Sequence, residues 1–241
     1  MSIPKNLQEG FLWDFMELFR GEGSLSEAHR ALGLRVHPGF EVKDGSHGDL
    51  LLDSTMQAAI GLITRRVVRA VHVAAVCASF GTLRRPRVRS NMQPFGFDFT
   101  EAATALGNHF AVRAAFILFL CLANDIVGAG EQLRGPVMFR LDMFMRLLKD
   151  RFFSVHFPYC KFGAPFEKRS WWISSNPHHR TLGGECSCGH KAKHFRVQGS
   201  FTKESLKVFE RRCRPNLASV FLKLLWSGNL WPPSVLAIAC L

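Results

Sequence analysis

The chain has 241 residues, of which 47% are hydrophobic and 21% charged, which excludes a disordered or collagen-like polymer and suits one α/β domain with its own core. Lysine plus arginine number 31 against 19 acidic residues, a formal charge of +12, so polyanions, nucleic acid first among them, are the expected partners. Seven cysteines, an odd number, and a start without an apolar signal core read as an intracellular protein, nuclear or cytoplasmic, with reduced thiols.

In chain order, residues 11–19 form an apolar run ending in Arg20-Gly21-Glu22-Gly23, a buried strand followed by a tight turn. Residues 24–32 have helix character, with Ser24 and Glu27 spaced as a capping box and Gly33 as the stop. Residues 34–42 read as a second strand ending at Glu41. A helix over 53–66, capped by Asp53 or Ser54, and a β-branched strand over 69–76 follow. Residues 77–96 are a loop rich in Arg, Ser and Gly, and 99–123 a long helical stretch. Its longest apolar run, 114–123, is ten residues between Arg113 and Asp125, short of the ~20 a bilayer requires, so it reads as a core helix and no membrane partner is expected. Residues 125–133 read as a strand, 138–149 as an amphipathic helix, and 152–157 and 170–174 as strands. Residues 176–200 are polar, 202–225 mostly helical, and 226–241 an apolar tail containing Pro232-Pro233. Strands alternating with helices predict a doubly wound, mostly parallel sheet. The domain division is an α/β core over 1–174, then a Cys/His-containing elaboration over 175–241.

Glycines let backbone pass close beneath a ligand, and the helix behind them offers free N–H groups, so Gly21, Gly23 and Ser24 are candidates for ligand contact as well as for a simple turn. Glu41 falls about twenty residues after the glycines, where a nucleotide-binding βαβ unit places a carboxylate on ribose hydroxyls. Asp49 follows in His47-Gly48-Asp49-Leu50. Glycine turn and two acids together suit an adenosine-bearing cofactor.

These residues resemble the S-adenosylmethionine-dependent methyltransferases, and within them the cytosine-5 DNA methyltransferases and their relatives carried by DIRS-type retrotransposons. Phe19-Arg20-Gly21-Glu22-Gly23 is similar to the family's F-x-G-x-G, and Gly48-Asp49-Leu50 to its G-D-[IL] element. The resemblance implies a Rossmann-like methyltransferase fold, S-adenosylmethionine as cofactor, and a cofactor pocket lined by Phe19, Gly21, Gly23, Ser24, Glu41 and Asp49.

Cys77 closes the 69–76 strand. It reads as a structural thiol or, if its pKa is lowered, as a nucleophile. The resemblance implies the second role, attack on C6 of a cytosine, with Val76 standing where the family has proline. Arg84, Arg85, Arg87 and Arg89 follow as nucleic-acid contacts. Gly107-Asn108, matched in the retroelement relatives, reads as helix packing or a cofactor-side contact. In Glu131-Gln132-Leu133 the resemblance implies a glutamate holding the base's Watson–Crick edge. The segment from Tyr159 to Arg169 is similar to the family's basic element, making Lys168 and Arg169 phosphate contacts, while Trp171 and Trp172 stack or, as favoured, fill core.

Cys186, Cys188, His190 and His194 fall within nine residues and offer a zinc site, or a surface loop with reduced thiols. About thirty residues, 175–201, stand where the family inserts a large recognition region. The functional expectation is cytosine-5 methyl transfer to DNA or other nucleic acid, with Cys77 and Glu131 catalytic. The alternative is a catalytically inactive nucleic-acid-binding remnant of the same fold.

Overall fold

A computed structural model describes residues 10–76, 78–81, 86–133, 135, 137–162 and 168–186. Five strands make one sheet in the order β1 (Met16–Leu18), β2 (Ala70–Val73), β3 (Val127–Leu133), β5 (Arg169–Ser174), β4 (Phe153–Pro158). β1, β2 and β3 run parallel, while β5 is antiparallel to both β3 and β4, so four of the five strands share one direction. The protein is therefore a mixed α/β fold with a mostly parallel, Rossmann-like sheet.

The helices are α1 (Ser24–Ala31), α2 (Asp53–Thr64), α3 (Ala102–Ala123) and α4 (Asp142–Asp150). Strand side chains alternate between faces. On one face lie Met16, Leu18, Val71, Val73 and Ile173, packed with Ala59 and Ile63 of α2, Ile117 and Leu118 of α3, and Phe144 and Leu147 of α4. Gly128 of β3 lets α3 approach closely. A Cβ there would sit 3.1 Å from Phe152, 3.2 Å from Cys121 and 3.3 Å from Leu118. By length and composition α3 could cross a bilayer; here Ala114, Ala115, Ile117, Leu118 and Cys121 are buried on the sheet side.

The other face is chemically different. Glu17 pairs in register with His72, His72 with Ala129, and Glu131 with Trp172. Among the described residues α1 and the 3-10 turn Pro177–Leu182 pack here. His29 of α1 stacks on Phe15 at 3.8 Å, and Leu182 joins the Val155, Phe157, Trp172 cluster.

Several elements are shorter than the sequence predicts. The 34–42 segment meets β1 and the residues flanking it through two isolated bridges, Phe15–Val36 and Leu18–Phe40, rather than a continuous ladder. Pro38 has no N–H to give, and Gly39 has φ +84°, so the ladder breaks between the bridges. The expected 11–19 strand shrinks to three ladder residues plus bridges at Trp13 and Phe15. The Ser24–Glu27 capping box does not form. The cap position falls on Gly23, at φ 69°, and Ser24 is already helical. Nor do Asp53 or Ser54 cap α2; Leu52 is the cap residue, and Asp53 pairs with Arg113 at 2.7 Å. α3 starts at Ala102, because Glu101 caps it by accepting from Thr104 N–H.

The 34–42 segment lies on one side of β1 and β2 on the other. β1 therefore sits where the chain's winding reverses, the place at which open α/β sheets bind ligands beyond their carboxyl ends.

Candidate functional site

Beyond the carboxyl ends of β1 and β2 two cavities adjoin. The first, about 310 Å³, is lined by Phe19, Gly21, Glu41, Val42, Gly48, Asp49, Leu50 and Phe110 among others. The second, about 380 Å³, is lined by Glu17, Phe19, Gly21, Gly23, Ser24, His72, Glu131, Tyr159, Lys168 and Trp172 among others. Phe19, Gly21 and Ala74 belong to both, so a turn and one aromatic ring separate them. Of the six residues expected to hold a cofactor, Phe19, Gly21, Glu41 and Asp49 line the first cavity, and Gly23 and Ser24 the second.

The turn is built from left-handed backbone. Phe19, Gly21 and Gly23 have φ of 55°, 54° and 69°. For Phe19 that conformation costs about 1–3 kcal/mol and persists because its neighbours hold it. Its N–H donates to Phe40 O at 2.9 Å and its ring meets Phe110 edge-on at 5.3 Å. Gly21 N–H donates to Glu41 Oε2 at 2.7 Å, so this carboxylate fixes the turn from below. Gly48 is required by space: a Cβ would lie 2.1 Å from Glu41 O, and glycine lets Asp49 close against Glu41's strand end. Asp49 Oδ1 accepts from Leu51 N–H at 2.9 Å.

Glu131 is gripped through one oxygen. Tyr159 O–H donates to Oε1 at 2.6 Å, Ser170 O–H at 2.9 Å, and Lys168 Nζ lies at 3.4 Å. Among the described residues all three contacts fall on Oε1, leaving Oε2 to the cavity. Burial alone would push the carboxyl up. Lys168 and the donors Tyr159 and Ser170 reverse this and hold it below the ordinary carboxylate range, so Glu131 is an ionised acceptor. Lys168 lies over the Tyr159 ring at 4.5 Å. Burial pulls its ammonium down, but Tyr159 and Glu131 outweigh that and raise its pKa.

Glu17 behaves in the opposite way. Ser26 donates to its Oε2 from both N–H (3.1 Å) and O–H (2.6 Å). Burial nevertheless pushes its pKa up to about 7, aided by the Glu131 charge and opposed by the Ser26 bonds and by Arg20. The flanking histidines are held neutral, chiefly by burial: His72 at about 4, His29 and His179 at about 3.

Neither Glu17 nor His72 was among the residues singled out in the sequence. The available signal was an acid and an imidazole inside otherwise apolar strands, FLWDFMELF and RAVHVAAV, positions where charge is rarely buried without purpose. Tyr159 and Ser170, which orient Glu131, carry no such mark.

Cys77, Arg84 and Arg85 lie outside the described residues, as do Cys188, His190 and His194 of the Cys/His cluster and the 202–225 and 226–241 segments. No group of three or more His, Cys, Asp or Glu suited to a metal ion occurs among the described residues. Gln132 Nε2 donates to Ala75 O at 2.7 Å, tying the end of β3 to the segment that leads toward Cys77.

Two of the expected phosphate contacts have partners within the protein. Arg89 is buried, with its guanidinium 3.7 Å over the Phe80 ring and donating to Pro94 O, Asn108 Oδ1, Ser79 Oγ and Thr104 O. It ties Ser79 and Pro94 to Thr104 and Asn108 of α3. Lys168 faces Glu131. Arg87 and Arg169 are exposed. Gly107-Asn108 is resolved as packing. Gly107 faces Ser79, Phe80 and Arg89, and Asn108 joins Arg89 to Phe95 O. Trp172 is buried as core and cavity wall, while Trp171 is half-buried against Phe139 and His156.

Among the solved structures similar to this chain are two Dnmt2 proteins. The Dnmt2 methyltransferase of S. pombe aligns at TM-score 0.40 and 10% identity, over 82% of this chain and 54% of that one. A Spodoptera frugiperda DNMT2 mutant aligns at 0.38 and 14%, over 68% and 51%. The chain thus spans about half the length of each. No family model and no curated protein matches.

Proposed function

We propose that the protein is an S-adenosylmethionine-dependent methyltransferase that acts on cytosine in DNA or another nucleic acid. The observation that carries this reading is the shared wall: the cavity holding Glu41 and Asp49 meets the cavity holding Glu131 across Phe19 and Gly21. A methyl donor in one would adjoin a ring held in the other.

The residues of the first cavity suit an adenosine. Phe110, Val42 and Leu50 give apolar surface for a flat ring, and Glu41 and Asp49 give acceptors for hydroxyl and amine groups. When bound, S-adenosylmethionine supplies an electrophilic methyl group. In the second cavity Trp172, Phe157 and Leu25 wall a flat ring, and Glu131 Oε2 accepts from an exocyclic amine. Cys77, by resemblance, adds as thiolate to C6 of the ring. The net charge of +12 and the exposed Arg87 and Arg169 draw a phosphate backbone toward this end of the sheet.

The test is trapping. DNA containing 5-fluorocytosine, incubated with the protein and S-adenosylmethionine, should give a covalent adduct stable to denaturation, absent in Cys77→Ser. DNA binding with no adduct in the unaltered protein would favour the inactive remnant of the same fold.

A further inference from the structure

Resting on the base-pocket reading, we propose that Glu17 is a second base-contacting residue, which donates a hydrogen bond to a ring nitrogen while Glu131 accepts one from the neighbouring exocyclic amine. The group recognised is an N=C–NH2 edge, as in a 4-aminopyrimidine.

Three observations support this. First, Glu17 and Glu131 line one cavity from one face of the sheet: Glu17 of β1 pairs with His72 of β2 and His72 with Ala129 of β3, and Glu131 stands two residues beyond Ala129 on the same face. Second, each carboxyl is anchored through a single oxygen. Both Ser26 donors fall on Glu17 Oε2, and Tyr159, Ser170 and Lys168 all approach Glu131 Oε1. One oxygen of each therefore remains for a ligand. Glu17 Oε1 is 3.9 Å from His72 Nδ1, beyond hydrogen-bond reach, and the side chain is only 6% exposed. Third, Ser26 donates to Oε2, which fixes it as an acceptor, so a proton on this carboxyl resides on Oε1.

The surroundings push the two carboxyls apart in charge. Glu131 stays ionised beside Lys168, while Glu17 is neutral below about pH 7. The groups facing Glu17 are Ser26 from α1, neutral His72 from β2, Glu131 from β3 and Arg20 from the turn. Two like carboxyls with different protonation make a donor beside an acceptor. That pair complements N3 and the 4-amino group of cytosine. Uracil presents N3–H and a 4-oxo group, which would meet the Glu131 charge with a lone pair. A site built on hydrogen bonds rejects such a mismatch strongly, because its own buried groups are left without partners.

The experiment titrates cytidine and uridine into the full chain, following tryptophan fluorescence, between pH 6 and 8.5, with circular dichroism confirming the fold of each variant. The unaltered protein should prefer cytidine by about tenfold or more at pH 6, and cytidine affinity should fall by about tenfold toward pH 8.5. Glu17→Gln keeps a donor that does not titrate, so it should keep the preference and lose the pH dependence. Glu17→Ala should lose the preference at every pH. If Glu17→Gln retains the pH dependence, or folded Glu17→Ala retains the preference, the role of Glu17 is overturned while the base pocket stands. If the unaltered protein favours neither nucleoside, the base-pocket reading falls and the inference falls with it.

Discussion

The two faces of the sheet follow opposite rules. On one, Leu18, Val73, Leu118 and Ile173 make an apolar core between strands and three helices. On the other, Glu17, His72 and Glu131 replace such residues, and the buried histidines His29 and His179 add to them. The first face obeys the expectation that charge stays out of cores. The second departs from it where the cavity lies, which is the pattern the proposed ligand site requires.

The comparison breaks most visibly at the apolar face. Leu118→Ala should cost about 2–5 kcal/mol of unfolding free energy in denaturant titrations, through lost burial and the cavity left behind. Its effect should not vary between pH 5 and 8, because no titrating group packs there.

The polar face should show the reverse. Glu17 has a folded pKa raised from 4.5 to about 7, so the stability it contributes is complete below pH 4.5 and lost as the pH rises through 7. At about 1.4 kcal/mol per unit that loss is about 3 kcal/mol. Thermal melts of Glu17→Gln should lack it, so the variant should gain on the unaltered protein as the pH rises to 8. The buried histidines act with the opposite sign. Their folded pKa values are depressed below 6.5, so stability falls as the pH drops below 6.5 toward 4. Together these place the stability maximum near pH 6.5, and a flat melting profile from pH 4.5 to 8 would contradict the assignment.

Arg89 and Arg87 sharpen the comparison within one loop. Arg89→Ala should cost about 1–3 kcal/mol, because Thr104 O and Ser79 lose a buried charged donor. Arg87→Ala should leave stability within about 0.5 kcal/mol. It should instead weaken nucleic-acid binding evenly across sequences and reduce the salt slope by about one phosphate contact.

Much of this was legible in the sequence. Periodicity placed β2 and β3 and the core helix α3, while Phe19, Gly21, Glu41 and Asp49 line one hollow and Gly23 and Ser24 the adjoining one. What failed was local. A capping box read from Ser24 and Glu27 was displaced by one residue, because Gly23 in left-handed backbone takes the cap position. The 34–42 strand was interrupted by Pro38-Gly39. Arg89 looked like the exposed Arg87 because sequence does not show that α3 packs against it through Gly107. That Lys168 also approaches Glu131 was not legible, because the two meet only through the pairing of β3 with β5. The polar floor was hidden for the same reason: Glu17 and Glu131 are 114 positions apart in the chain and meet only through sheet order.

The most direct test of two adjoining sites with separate tasks is calorimetry with S-adenosylmethionine. The account predicts one bound molecule per chain, binding lost in Asp49→Ala and retained in Glu131→Gln. No binding to the unaltered protein, or binding abolished by Glu131→Gln and indifferent to Asp49→Ala, would contradict it.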